Sequence, residues 1–569
     1  TNYFSVDGKM AYCLEPLKST PSPGDYEIKE LGNGKLRKVM YYVYGGPGYD
    51  TYVTHYGYLG YAAEFRLDSE YCMSHCILSF VYSGSADAFA GVSEDIVEAL
   101  KWEIDRIMEL PDPPDSFNAF TFNSGRDSQT MGGTGEDRTG TVEVKKSPDH
   151  PQWTEGNPCY SLKDAVFGIF REGEDEPAYK IRTDENGCGR LEDVPAGTYE
   201  IAELESPKGY ALDGSRQKIT VKADRVCTYR CQDQAQNHPA KILLKKTDHE
   251  TGNSQAQGQA TLAGAEFIVK YYAGYYESDP EQSGIQPERT WSLRTDGSGQ
   301  LKFSDEFKTG GDEFYKNQEG ENTLPLGTVT FQETKAPEGY LVNDTVFTEK
   351  ITADGDEVFS TVFHSPAVPQ SVIRGDIQIV KFREDVDEEE DQKTSLEGII
   401  FTITSKTTGK QIQIATDENG YASTEQEGGS SRGTLPYDTY IVSEENTPQG
   451  LKPVDDFEVK ITEEGKTLHY ILENKQILSP VKLVKTDAST GETIPLAGAR
   501  FQLLDSDMEP VEMKIHYPKE TVHSIFSTDE SGSFVLPEKL PAGVYYFREV
   551  QAPQGYLLSE ELLKFEIIE

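Results

Sequence analysis

The chain has 569 residues, more than one core can organise, and its length predicts about three to five domains. Its 97 acidic residues against 54 basic ones give a net charge of −43, which a polyphosphate or an anionic membrane surface would repel along the whole length; neither nucleic acid nor membrane is an expected partner. With 36% hydrophobic residues, 32 Tyr and 25 Phe it can still build packed cores, and no apolar run reaches membrane-spanning length. No signal peptide opens the sequence and no apolar anchor closes it, so either the protein is cytosolic or both targeting ends have been removed. The seven cysteines, all within the first 231 residues, favour the second reading, and their odd number leaves at least one unpaired thiol.

Residues 1–137 stand apart from the rest. They hold Ala11-Tyr-Cys13-Leu-Glu-Pro16, the aromatic run Val39–Gly48 and the segment Ser74–Tyr82. A helix follows: Ser93 caps it, Glu94 and Asp95 suit its positive end, Ile96, Leu100, Ile104 and Ile107 line one face, and Pro111 stops it. Then come Phe117–Phe122 and Asp127-Ser-Gln129-Thr-Met. Cys72, His75 and Cys76 could suggest zinc, but no fourth ligand completes a tetrahedral set. A disulfide or buried thiols with a packed His75 is the preferred reading, and no metal or cofactor is expected.

From residue 138 one module recurs four times. Each copy opens with a strand-like run ending in Lys, at Lys146, Lys246, Lys381 and Lys485. A small-residue turn and an aromatic follow, at Phe167, Phe267, Phe401 and Phe501. Next comes Thr-Asp-x-x-Gly, at 183–187, 295–299, 416–420 and 528–532. Each copy then has Pro, Glu and a Pro-x-Gly turn: Pro195, Glu203, Pro207; Pro325, Glu333, Pro337; Pro436, Glu444, Pro448; Pro541, Glu549, Pro553. Segments such as Tyr199–Glu203 are too short for helices and alternate like strands, which predicts β-sandwiches.

This pattern resembles the Cna B-type, prealbumin-like domains of Gram-positive pilins and adhesins. The resemblance implies a mainly β chain: a mixed α/β head at 1–137, then Ig-like sandwiches at 138–238, 239–370, 371–477 and 478–569, the last lacking its final strand. It also implies that a first-strand Lys is joined to Asn or Asp on the last strand, assisted by the repeat Glu. Burial suits that chemistry, because it favours a neutral amine and a neutral carboxyl. The family places Asn about thirty residues after the Glu. That offset gives Lys381–Asn474 with Glu444 and Lys146–Asp233 with Glu203. In the copy at 239–370 it falls on Ser360–Ser365, with neither Asn nor Asp, so no bond is expected there although Lys246 and Glu333 remain. In the last copy Lys485 and Glu549 await a partner beyond the chain end.

Residues 1–137 resemble the Cys–Gln thioester domain at the tip of such adhesins, which implies a thioester between Cys13 and Gln129. Thr130-Met-Gly-Gly133 departs from the apolar residues and Trp that often follow Gln in that family. Cys13 as a buried thiol, or as a disulfide partner of Cys72 or Cys76, is the alternative. The resemblance implies a single-turnover surface adhesin rather than an enzyme, capturing a host surface or matrix protein through a Lys amine. The alternative is a structural stalk or pilin subunit whose head is inactive or binds without a covalent bond.

Three smaller signals remain. Cys159, Cys188, Cys227 and Cys231 fall in one module, and an exported setting favours pairing, with three connectivities open. The acidic run Asp385–Asp391 reads as a solvated loop, since it lacks the spacing of a calcium loop. Tyr517-Pro-Lys519 is similar to the pilin motif whose Lys sortase joins to another subunit, but from three residues a plain surface turn is the preferred reading.

Overall fold

The computed structural model describes residues 3–56, 67–353, 366–384, 393–426, 428 and 431–568. Ser360–Ser365 and Asp385–Asp391 lie outside them.

The head is built on a five-stranded antiparallel sheet in the order Phe4–Val6, Lys9–Cys13, Met131–Thr134, Ala119–Phe122 and Lys29–Glu30. The helices Lys35–Tyr42, Tyr49–Tyr56, Leu67–Ser83 and Glu94–Glu109 come between its early and late strands. Leu100, Ile104 and Ile107 enter the head core and Ile96 packs against it. Ser93 holds the N-cap place, but its hydroxyl makes no capping bond. The helix ends at an extended Leu110, the conformation a following proline imposes.

Each of the first three modules is two facing sheets. In the first, Thr139–Pro148 runs between Cys188–Pro195, antiparallel, and Val226–Asp233, parallel. The facing sheet is Gln217–Val221, Gly197–Glu205, Val166–Arg171 and Tyr179–Arg182. Val142, Val144, Phe167, Ile169, Ile201 and Val221 fill the space between. The third module repeats the parallel pair with Arg374–Glu384 and Lys466–Gln476. In the second, the strand parallel to Ile242–Asp248 is Ala367–Gln370, later in the chain than the thirty-residue offset predicts. In the fourth, Lys482–Val484 pairs only with Ser533–Val535 among the described residues.

The Thr-Asp-x-x-Gly landmark proves to be a structural clamp. In every copy the Thr hydroxyl donates to one backbone carbonyl and accepts one backbone N–H, as Thr183 does with Leu162 O at 2.7 Å and Ala165 N at 3.0 Å. The Gly carbonyl accepts the N–H of the repeat Lys at 2.7 to 2.9 Å in all four. At Gly420, φ is +74° and an added Cβ would stand 2.2 Å from Lys381 O, so only glycine fits there.

The expected disulfides are not present: all seven cysteines are free. Strand geometry explains it. Cys188 and Cys231 flank the same strand from opposite sides, opposite Lys145 and Lys146. Two strand spacings are about 9–10 Å, beyond the reach of an S–S bridge. Cys227 and Cys231 share one strand, and Cys159 is buried in a different core.

That second core joins two modules. Residues 149–162 leave the first module and pack Trp153, Cys159 and Tyr160 among Phe267, Tyr271, Trp291 and Leu326 of the second. Tyr160 Oη donates to Gln236 O and accepts from Leu326 N, both at 2.7 Å. Asn157 Nδ2 donates to Tyr271 Oη and Leu326 O, both at 3.0 Å.

Candidate functional site

The repeat Lys, Phe and Glu form the same constellation four times. Glu203, Glu333, Glu444 and Glu549 stand opposite Phe167, Phe267, Phe401 and Phe501 across paired strands. The Lys amines lie 4.9, 4.8, 5.9 and 5.6 Å from those ring centres, within cation–π range. The Phe was legible as a repeat landmark, but its place beneath the amine was not. A second recurring contact has no side-chain signature at all: the backbone N–H ten residues after each Glu donates to its Oε2. The donors are Asp213, Asn343, Val454 and Ser559, at 3.2, 2.8, 3.0 and 2.8 Å. Each carboxyl is thereby held in one orientation.

The modules differ in what stands on the last strand. In the first, Lys146 contacts Glu203 and lies 2.7 Å from Asp233 Oδ2; all three are buried. Burial raises the pKa of both Glu203 and Asp233, against the opposing pull of Lys146. In the third, Lys381 lies 3.1 Å from Glu444 Oε2, and Asn474 Nδ2 donates to the same oxygen at 3.2 Å. Burial lowers the Lys381 pKa, Glu444 opposing. Asn474 Oδ1 is buried without a partner among the described residues.

In the second module Lys246 contacts Glu333 and is fully buried. Burial pulls its pKa down to about 8. The residue on the last strand is Gln370, whose Nε2 donates to Glu333 Oε2 at 2.8 Å. In the fourth, Lys485 lies 2.8 Å from Glu549 Oε1.

In the head, Cys13 pairs with Met131 across adjacent strands, and Gln129 lies two residues before Met131. Both Cys13 and Gln129 are 3% exposed. Gln129 Nε2 donates to Thr20 Oγ1 at 2.7 Å, while its Oε1 is buried with no partner among the described residues. Leu14 N donates to Thr130 O at 2.8 Å, and Glu15 Oε2 accepts from Thr130 N at 3.0 Å, pinning the two segments together. Burial pushes the Cys13 thiol up to about 11. The glycines after Gln129 have a packing reason: an added Cβ on Gly132 would come within 3.0 Å of Met40, and one on Gly133 within 3.1 Å of Phe120. Thr20 also lines a cleft of about 760 Å³ together with Tyr26, Phe120, Phe122 and Met131. His75 packs edge-on against Tyr12 and Tyr71, and burial lowers its pKa. Tyr517 and Lys519 are exposed in the loop of the hairpin Met513–Ile515 and Thr521–His523.

A prealbumin-like fold domain model matches residues 155–235, 240–363, 384–476 and 479–569, more than half of the chain, and the chain belongs to this family. A thioester domain model matches residues 1–114, ending before Gln129. Among solved structures the chain is similar to the Bacillus anthracis TIE protein, at 18% identity and TM-score 0.39, covering 82% of this chain and 94% of that one. It is also similar to BcpA, the major pilin subunit of Bacillus cereus, at 15% identity and TM-score 0.25, covering 60% of this chain and all of that one. No curated protein matches the sequence. A thioester domain followed by four pilin-type sandwiches is the composition of a Gram-positive surface adhesin. Among the described residues no helix is long and apolar enough to cross a membrane.

Proposed function

We infer that this protein is a covalent adhesin whose head captures an amine on a host protein and whose stalk modules are closed by intramolecular amide bonds. The reading rests on one observation above the others: the Gln129 carboxamide is buried beside the Cys13 strand, anchored through Nε2, with its carbonyl oxygen unpartnered among the described residues. Cys13 Sγ gives up its proton and attacks Gln129 Cδ; the C–S bond forms, the Cδ–Nε2 bond breaks, and Nε2 takes up that proton to leave as ammonia. The thioester is uncharged, so the burial that disfavours the thiolate favours the product and shields it from water. A host Lys amine entering from the cleft beside Thr20 then takes the acyl group, giving an amide and returning the thiol.

In the stalk, a proton passes from Lys to Glu within each buried pair. The neutral amine attacks the Asp233 or Asn474 carbonyl carbon, and water or ammonia leaves. Four modules in series would carry the head away from the wall, with exposed Lys519 available for sortase joining to other pilus subunits.

Intact-mass analysis before and after methylamine tests the head. Uptake of one methylamine, abolished in Cys13→Ala, is the expected result. No uptake by the unmodified chain overturns covalent capture and leaves a structural stalk with a non-covalent head.

A further inference from the structure

We propose that the second module is also closed by an amide bond, formed between Lys246 Nζ and Gln370 Cδ, a side-chain pairing in which glutamine replaces Asn or Asp. The inference rests on the same stalk chemistry and extends it to a residue type one methylene longer.

Register carries the argument. In the first module Lys146 stands opposite Cys231, and Asp233 is two residues further on. In the third, Lys381 stands opposite Leu472, and Asn474 is two residues further on. In the second, Lys246 stands opposite Val368, and two residues further on is Gln370. All three strand pairs are parallel, so all three acyl-bearing side chains project on the same face as the Lys, one step along. Gln370 is fully buried, as are Lys246 and Asn474. Lys246 and Gln370 share one carboxyl group: the amine meets Glu333 Oε1 and the carboxamide Nε2 donates to Oε2 at 2.8 Å. Gln370 Oε1 is buried with no partner among the described residues, as Asn474 Oδ1 is.

The step balances without a co-reactant. Lys246 passes its proton to Glu333. The neutral Nζ attacks Gln370 Cδ, and Glu333 takes a proton from Nζ and delivers one to Nε2. The Nζ–Cδ bond forms, the Cδ–Nε2 bond breaks and ammonia leaves. Glu333 ends with the proton it first accepted, so it acts as a shuttle.

Peptide mapping of the unmodified full-length chain decides the matter. The expected result is a branched peptide joining the Lys246 and Gln370 segments, about 17 Da lighter than their sum. Recovery of those two segments unlinked, while Lys146–Asp233 and Lys381–Asn474 are linked, overturns this proposal alone. If all three pairs are unlinked, the general stalk reading fails with it. Glu333→Gln keeps the shape of the site and removes the shuttle. It should abolish the Lys246–Gln370 peptide and leave the other two linkages intact, and an undiminished yield in that variant overturns the proton-shuttle mechanism.

Discussion

Lys146 Nζ lies 2.7 Å from Asp233 Oδ2, on the two strands of the first module that run parallel. A bond here would close a loop of nearly the whole module, which in the chain-entropy picture is worth on the order of 4–5 kcal/mol. Glu203→Gln should leave the Lys146–Asp233 peptide unlinked and lower the module's denaturant stability by about that amount. Linked peptide at full yield would remove Glu203 from the chemistry.

Thr20 Oγ1 accepts the hydrogen bond of Gln129 Nε2, the nitrogen that the proposed thioester step would release. Thr20→Val keeps the side chain's shape and removes that acceptor, so the methylamine-reactive fraction should fall several-fold with the head's unfolding temperature little changed. An unaltered reactive fraction would show that Gln129 is positioned by packing alone.

With the thiol free, as in Gln129→Ala, the head should lose stability in alkali. Cys13 titrates at about 11 when folded against an ordinary 9, so the folded state holds the proton more tightly. Its stabilising contribution is complete below pH 9 and disappears as pH rises through 11. Thermal unfolding of Gln129→Ala and of the double variant Gln129→Ala/Cys13→Ala between about pH 8 and 11 reads this directly. Parallel pH profiles would refute it.

The junction between the first two modules depends on Asn157, whose amide bridges Tyr271 Oη and Leu326 O. Asn157→Ala removes these bonds and also the buried acceptor of the Cys159 N–H, which Asn157 Oδ1 holds at 3.0 Å, and should cost about 1–3 kcal/mol. The loss should appear as earlier proteolysis at residues 149–162 with the third and fourth modules intact.

Gly420 and Gly398 separate strain from collision. Both have positive φ, +74° and +76°, but an added Cβ meets Lys381 O at 2.2 Å in the first case and open space in the second. Gly398→Ala should cost about 1 kcal/mol. Gly420→Ala should cost clearly more and reduce the yield of Lys381–Asn474 linkage, because it displaces the backbone of the reacting Lys.

The repeat made the sandwiches legible because each landmark does a local job at fixed spacing. Thr clamps a turn, Gly receives the Lys N–H, and Glu faces Phe. Gln370 was missed because counting thirty residues from Glu assumes a constant loop. The contact between Gln370 and Glu333 spans 37 residues, where that between Asn474 and Glu444 spans 30. Strand register corrects for loop length and residue counting does not. The cysteines misled for a related reason: an even set in one module suggests bridges, but sheet spacing keeps Cys188 and Cys231 apart on opposite sides of one strand. The role of residues 149–162 left no periodic trace, since a plug that fills a neighbour's core needs neither helix nor strand repeats.

Parallel pairing of the opening and closing strands also sets how a module meets tension. Pulled by its entry and exit points, such a pair slides lengthwise, and all its ladder bonds resist together instead of opening one by one from an end. A chain held under tension at both ends would therefore yield last at these seams.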